Sequence, residues 1–332
     1  MIRINILSRT NDVFIHQWDK ERFPESEYDI RFNCREDIIW DCVVVYQDIL
    51  IDARLRCKEG NVIYVSGEPP MMVACPHEFT NQFDVVILPH KAVKHKCKIT
   101  SHGFLNWSLG FGFKSKIHRY YYQDFLTMEP KKTKFISLVS SNQQMMPGHN
   151  RRMHLIQRLQ KDYPDIVDIY GKGFNFVDYK ADALLPYMFH ICIENSNIDD
   201  YWTEKISDPI LAQCVPIYAG CTNIEKYLGH EGYITFDVND YESLKAIIEH
   251  LKSNPESEYY KRKPMLNNLR KIIMERENLI PYIIEYIKRN QGDVVKSYSI
   301  HDLKSSKGFY IAQWMLRLRR FLYKQYFKLT HA

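Results

Sequence analysis

The sequence predicts an α/β protein of two facing Rossmann-like domains with a cleft between them, followed by a basic amphipathic helix. Two observations predict the domains. Short Val- and Ile-rich apolar runs alternate with helical patterns in two successive series, as in parallel sheets covered by helices. The series meet near residue 130 in HRYYYQDFLTMEPKKTK, a mixture of aromatic, basic and Pro residues without clear periodicity. A third observation predicts the tail: residues 309–332 carry five bases and no acid. The expected boundaries are 1–130, 131–290 and 291–332.

The elements follow in order. Residues 2–7, Cys42–Tyr46, Val62–Val65 and Val85–Leu88 are apolar runs of strand length. The third ends at SGEPP, where two prolines forbid both a continuing central strand and an immediate helix interior. The second series opens with a strand at 135–139 and a polar loop at 140–150. A helix at 151–161 and a strand at 167–169 come next, closed by a turn at Gly171 and Gly173. Then come a strand at 189–193, a helix at 204–213, a strand at 215–218, a helix at 241–252 and a helical stretch over 266–290. No internal repeat or low-complexity tract interrupts them.

Composition bounds the function. The chain has 332 residues, 45% of them apolar, enough for two packed domains. Its net charge of +5 resides in the tail, since the remaining bases equal the acids in number. Binding to nucleic acid is therefore not expected. The eight cysteines form no CxxC pair, so a structural zinc is not expected. MIRINILSRTND reads as a short strand and polar residues rather than a secretory leader. A reducing, cytoplasmic compartment is expected. No run of about 18 apolar residues exists to span a membrane as one helix.

The richest stretch is CIENSNIDDYWTEKISDPILAQCVPIYAG, residues 192–220. An apolar strand delivers Glu194-Asn195, a polar loop follows, and Thr203-Glu204-Lys205 opens a helix. Strand ends and helix N-termini are where α/β sheets bind ligands. Lys205 lies in a first turn, where the helix dipole disfavours a cation. A docked diphosphate would explain it, with Thr203 as N-cap; so would pairing with Asp208 or Glu204. Glu194 could accept from both hydroxyls of a ribose, or brace its loop. Arg152 starts a helix after a polar loop and suits a phosphate, as does its neighbour Arg151. Glu68, at a strand end against prolines, could take a proton from a hydroxyl or serve as a turn acid. The sequence has no GxGxxG after a strand, no P-loop and no Asp-x-Asp. Adjacent Asp199 and Asp200 would point to opposite faces of a strand. Charge compensation by bases rather than a metal is favoured.

These residues resemble the α1,3/α1,4-fucosyltransferase family, glycosyltransferase family 10, in a bacterial form. The signature elements are Glu194-Asn195-Ser196, then DYWTEK at 200–205 and VPIYAG at 215–220. Weaker likeness extends to KFISLVSSN (134–142), GHNRRMHLIQRL (148–159), DIYGKG (168–173) and NVIYVSGEPP (61–70). The resemblance implies a GT-B fold and inverting transfer of L-fucose from GDP-β-L-fucose to a sugar hydroxyl. It implies donor-binding roles for Arg152, Glu194, Asn195, Tyr201, Glu204 and Lys205. Glu194 would face the ribose, and Arg152 and Lys205 the diphosphate. It makes Glu68 the general base. No cofactor or metal is required in that scheme.

The implied acceptor is an oligosaccharide or glycolipid, of lactosamine type or part of a lipopolysaccharide. A transferase using another GDP-sugar and a non-catalytic glycan- or nucleotide-binding protein are the competing readings. On a helical projection of the tail, Arg317, Arg320, Lys324 and Lys328 share one face. Ile311, Met315, Leu318, Leu322 and Leu329 share the opposite one. This predicts an in-plane helix on an anionic membrane, at the inner face of the cytoplasmic membrane.

Overall fold

The computed structural model describes residues 1–9, 14–142, 147–290 and 292–330. The chain divides into two compact units: Met1–Leu105 with Asn278–Leu322, and Asn106–Glu277 with the segment from Tyr323 onward.

The first unit holds a six-stranded parallel sheet. Its order is Tyr28–Phe32, Ile2–Ser8, Cys42–Tyr46, Val62–Val65, Val85–Leu88, Lys98–Thr100. The central strands are buried along their whole length, which explains their continuous apolar runs. A smaller sheet pairs Val295–Ile300 antiparallel with Ala53–Lys58, which in turn pairs parallel with Ile39–Trp40.

The second unit is a five-stranded parallel sheet, ordered Val167–Tyr170, Lys134–Val139, Tyr187–Ile193, Val215–Ala219, Ile234–Thr235. The first crossover leaves Lys134–Val139 to one side and the next strand joins on the other. The strand order thus reverses between Lys134–Val139 and Tyr187–Ile193. Connections diverge there and open a crevice at the carboxyl ends of the strands.

The boundaries differ from those expected. Trp107, Leu109, Tyr122 and Phe125 are buried in the second unit's core with Ile136 and Leu138, so that unit begins well before residue 130. The expected helical stretch over 266–290 is broken. Pro255–Lys271 runs into a π-helical turn, Ile272–Arg276, and a new helix, Leu279–Arg289, starts at Asn278. Asn278 caps it by accepting from Ile280 N and anchors it by donating to Gln17 O at 2.8 Å. Leu279, Ile280, Ile283, Ile284 and Ile287 are buried with Ile4, Ile6, Val44 and Ile63. The chain therefore returns to its first unit.

Residues 291–332 are likewise more than a tail. Val295–Ile300 completes a sheet, and the helix Phe309–Thr330 is held on the first unit through Phe309 and Gln313. Gln313 donates to Met72 O and accepts from Ala74 N, at 3.1 and 3.3 Å. The opposite side leaves Ile311, Trp314 and Leu322 exposed at 67%, 62% and 59%; Arg317 is exposed as well, and so is Arg319 on the inner face. One basic residue departs from the projection. Arg320 is half-buried, its guanidinium against Leu316 O and Met72 Sδ. The side chains of Lys328 and Leu329 lie outside the described residues.

Candidate active site

The crevice of the second unit is built where three strands end. Lys134–Val139 delivers Ser140, Val167–Tyr170 delivers Gly171-Lys172, and Tyr187–Ile193 delivers Glu194-Asn195. Glycine is required at two of these edges. A Cβ on Gly171, whose φ is +115°, would lie 1.9 Å from Ser140 O. A Cβ on Gly148, in the first turn of the helix Pro147–Asp162, would lie 2.0 Å from Asn195 O. That helix start is thereby held against the Asn195 backbone.

The resulting cavity measures about 630 Å³. Its wall includes His149, Arg152, Lys172, Asn195, Glu204 and Lys205, with Lys180 beside them. Among these, four cations face one carboxylate. Arg152 is 5% exposed. Its Nη1 donates to Asn195 Oδ1 at 2.5 Å, while its buried Nε has no hydrogen-bond partner among the described residues. Burial depresses its pKa, and Glu194 opposes that depression. A buried guanidinium with an unused donor suits an anionic ligand.

Lys205 follows the N-cap Thr203, whose hydroxyl accepts from Lys205 N at 3.2 Å. Its ammonium lies 3.2 Å from Glu204 Oε1, 3.5 Å from Glu194 Oε2 and 3.1 Å from Thr203 Oγ1. Burial works to lower its pKa, but the two carboxylates prevail and raise it. For Glu204, burial pushes upward and Lys205 and Lys180 outweigh it, leaving a carboxyl at about 2. Both groups are charged near neutrality. Asp208 does not pair with Lys205: it is bound by Lys180 Nζ at 2.8 Å and by Ser108 N at 3.0 Å.

Glu194 differs from its expected part. Its side chain is fully buried and is not on the cavity wall. Oε1 accepts from Thr203 N and, with Oε2, from Thr203 Oγ1, each at 2.9 Å. Burial raises its pKa despite Lys205. The geometry is that of a brace holding the N-cap. Gly220 makes room for it, since a Cβ there would lie 2.4 Å from Glu194 Cγ. Tyr201 is also buried and off the wall. Arg152, Asn195, Glu204 and Lys205 are thus brought together around the cavity, while Glu194 and Tyr201 stand behind it.

Arg151 and Arg152 are separated by the structure: Arg152 lines the cavity and Arg151 does not. Asp200 accepts from Lys226, Tyr227 and Asn223 within the polar loop's surroundings. Asp199 accepts from Thr222. Among the described residues no cluster of three His, Cys, Asp or Glu side chains is placed to hold a metal.

Three titratable wall residues, His149, Lys172 and Lys180, were not singled out from the sequence. His149 is buried, and desolvation together with Arg152 and Lys205 pulls its pKa down to about 4. Lys172 sits between Gly171 and Gly173, both at positive φ. Its position in a glycine-flanked turn after a strand was the available signal.

Glu68 belongs to the first unit. It follows Val62–Val65, half-buried, and its backbone O accepts from His90 Nε2 at 2.7 Å. The loop is fixed by close backbone packing, because a Cβ on Gly103 would lie 2.0 Å from Gly67 N.

Residues 129–263 match the profile of the glycosyltransferase family 10 (fucosyltransferase) C-terminal domain. In this stretch the chain is similar to family 10 glycosyltransferases. The matched stretch contains Arg152 and the whole segment 194–205; Glu68 lies outside it. The α-(1,3)-fucosyltransferase FucT of Helicobacter pylori is 31% identical over 80 residues, covering 24% of this chain and 16% of its own. The 4-galactosyl-N-acetylglucosaminide 3-α-L-fucosyltransferase 9 of Homo sapiens is 32% identical over 135 residues, or 39% and 35% of the two chains. The α-(1,3)-fucosyltransferase fut-5 of Caenorhabditis elegans is 28% identical over 189 residues, or 48% and 47%. The chain spans less than half the length of these relatives. A solved α1,3-fucosyltransferase with GDP-fucose aligns with 95% of this chain and 90% of its own, at 16% identity and a TM-score of 0.46.

Proposed function

We propose that the protein is an inverting fucosyltransferase that moves L-fucose from GDP-β-L-fucose to a hydroxyl, in α1,3 linkage, of a lactosamine-type or lipopolysaccharide glycan. The observation that carries this reading is the cationic cavity of the second unit. Arg152, with its unused buried donor, and Lys205 share one wall there. Loss of GDP from the anomeric carbon puts charge on a diphosphate, and fixed cations in a desolvated pocket stabilise it as it forms. Arg152 and Lys205 supply that charge without a metal in this scheme. Inversion needs one displacement, with a base taking the acceptor's proton. Glu68, at a strand end of the other unit, is assigned that role.

The test is GDP release from GDP-fucose with lactosamine-type acceptors. Glu68→Gln should lower turnover by roughly 10²–10⁴-fold, the usual worth of a general base, while retaining GDP binding. Turnover that survives Glu68→Gln removes the base assignment. GDP binding without turnover on any acceptor would instead mark a nucleotide-binding protein.

The proposed place of work is the inner face of the cytoplasmic membrane, on anionic lipid. What supports this is the exposed apolar side of Phe309–Thr330, bordered by Arg317, the pattern of an interfacial helix. Among the described residues no helix is long and apolar enough to cross a membrane. Leu318→Glu with Leu322→Glu, both at exposed positions, should abolish co-sedimentation with phosphatidylglycerol vesicles. Undiminished sedimentation would place any membrane contact elsewhere.

A further inference from the structure

The first unit carries a second concavity that the donor chemistry does not use. It encloses about 820 Å³ between residues 70–77, residues 90–94 and the inner side of the helix Phe309–Thr330. That volume is within the range of about 300–1,000 Å³ typical of ligand sites. Val73, Ala92, Val93, Ala312, Met315 and Leu316 give it apolar walls. Burial keeps the Cys75 thiol protonated, pushed up to about 11, and lowers the pKa of His90. Fixed charge on the lining comes from Lys94 and Arg319, and no lining residue is acidic. Such a groove selects a long apolar ligand that ends in an anion.

Two connections narrow the choice. Met315 lines the groove and is also 54% exposed. The groove wall therefore continues into the apolar side of the helix assigned to the membrane. The groove also borders the loop that carries the candidate base. Pro70 lines it two residues after Glu68, and His90 lines it while donating to Glu68 O at 2.7 Å.

We infer that this groove holds the lipid anchor of the acceptor, a long alkyl or isoprenoid chain bearing a phosphate, with the chain on the apolar walls and the phosphate on Lys94 and Arg319. The inference rests on the transferase reading above and specifies its acceptor as a lipid-linked glycan. Each methylene taken out of water strengthens association about fourfold, so a chain raises acceptor affinity without any further contact to the sugar. The reaction that supplies this acceptor would be one that loads sugars onto a lipid phosphate at the same membrane face.

The test compares one lactosamine glycan in two forms, free and joined through phosphate to a long alkyl chain, using the full-length protein. The wild type should show a KM at least about tenfold lower for the lipid-linked form, as two or more buried methylenes require. Ala92→Trp fills the groove from an exposed position and should bring the two KM values together. Lys94→Ala with Arg319→Ala should do so in part. Equal KM values in the wild type, or an advantage that survives Ala92→Trp, would overturn the inference. Binding of dodecyl phosphate, measured by calorimetry below its micellar concentration, provides a readout independent of turnover. If no acceptor is turned over yet Ala92→Trp abolishes dodecyl phosphate binding, the groove stands and the transferase reading fails. If Ala92→Trp weakens phosphatidylglycerol vesicle binding and leaves the KM difference intact, the groove serves bulk membrane lipid and the acceptor assignment is wrong. GDP affinity, a property of the other unit, serves as the folding control.

Discussion

Glu194 and Glu68 both follow apolar parallel strands, and both stood out in the sequence for that reason. Their surroundings are opposite. Glu194 is held by its side chain: Thr203 donates twice to it, Lys205 lies 3.5 Å away, and no part of the side chain is exposed. Glu68 is held by its backbone, through the His90 bond and the Gly67–Gly103 contact, with its side chain half-buried. An acid at a strand end thus becomes a brace when neighbouring donors satisfy the carboxylate. At Glu68 it is the backbone around the acid that is fixed, by the His90 bond and the glycine contact. The distinction lies in the partners, which the strand–acid pattern alone does not contain.

Mutation at the brace sharpens this contrast and carries the larger expected effect. Glu194→Ala leaves the buried Thr203 N–H and hydroxyl without their acceptor and Lys205 short of one counter-charge. Unsatisfied buried donors and a broken buried pair cost about 2–4 kcal/mol together. Chemical denaturation should register that loss, whereas Glu68→Gln, a change of equal size at a half-buried position that leaves the His90 bond to the backbone intact, should cost less than about 1 kcal/mol. Glu194→Gln keeps an acceptor for Thr203 and should recover part of the stability. The comparison breaks if Glu194→Gln is fully stable but binds GDP more than tenfold more weakly. The carboxylate would then be a ribose ligand after all.

How much of this was legible beforehand follows the same division between local and distant information. Cys42–Tyr46, Val62–Val65 and Val85–Leu88 were readable because both of their faces are buried and their sequences are uniformly apolar. Ala53–Lys58 was missed although Ala53, Leu55 and Cys57 alternate with Arg54, Arg56 and Lys58, a period-two signal. Val295–Ile300 is largely exposed and offers almost no such signal. The return of Leu279–Arg289 to the first unit was hidden because apolar periodicity shows that a helix is buried, not against what. In the site, Thr203, Glu204 and Lys205 were legible as one contiguous helix start. His149 and Lys172 reach the same cavity from other segments, and only the convergence of strand ends makes them neighbours of Arg152.

The smallest expected effect concerns that convergence and tests whether the second unit's site is built around excess positive charge. His149 faces Arg152, Lys205 and Asn195, and burial and the two cations hold it at about 4. It is therefore neutral at pH 7. A bound diphosphate neutralises those cations and favours the imidazolium, so it raises the pKa of His149. Donor binding then takes up protons, and by linkage affinity rises as pH falls. GDP-fucose is the suitable probe because its esterified diphosphate does not titrate between about pH 5 and 8. Its affinity should increase by about two- to threefold from pH 7.5 to 5.5, as for a group whose pKa in the complex rises only part of the way from about 4 to the ordinary value of about 6.5. His149→Gln, which keeps a polar side chain in place, should flatten that slope. A slope that persists in His149→Gln would assign the proton to another group. Affinity that falls on acidification in the wild type would mean that the diphosphate does not bind beside Arg152 and Lys205, and the cationic wall would lose its proposed role.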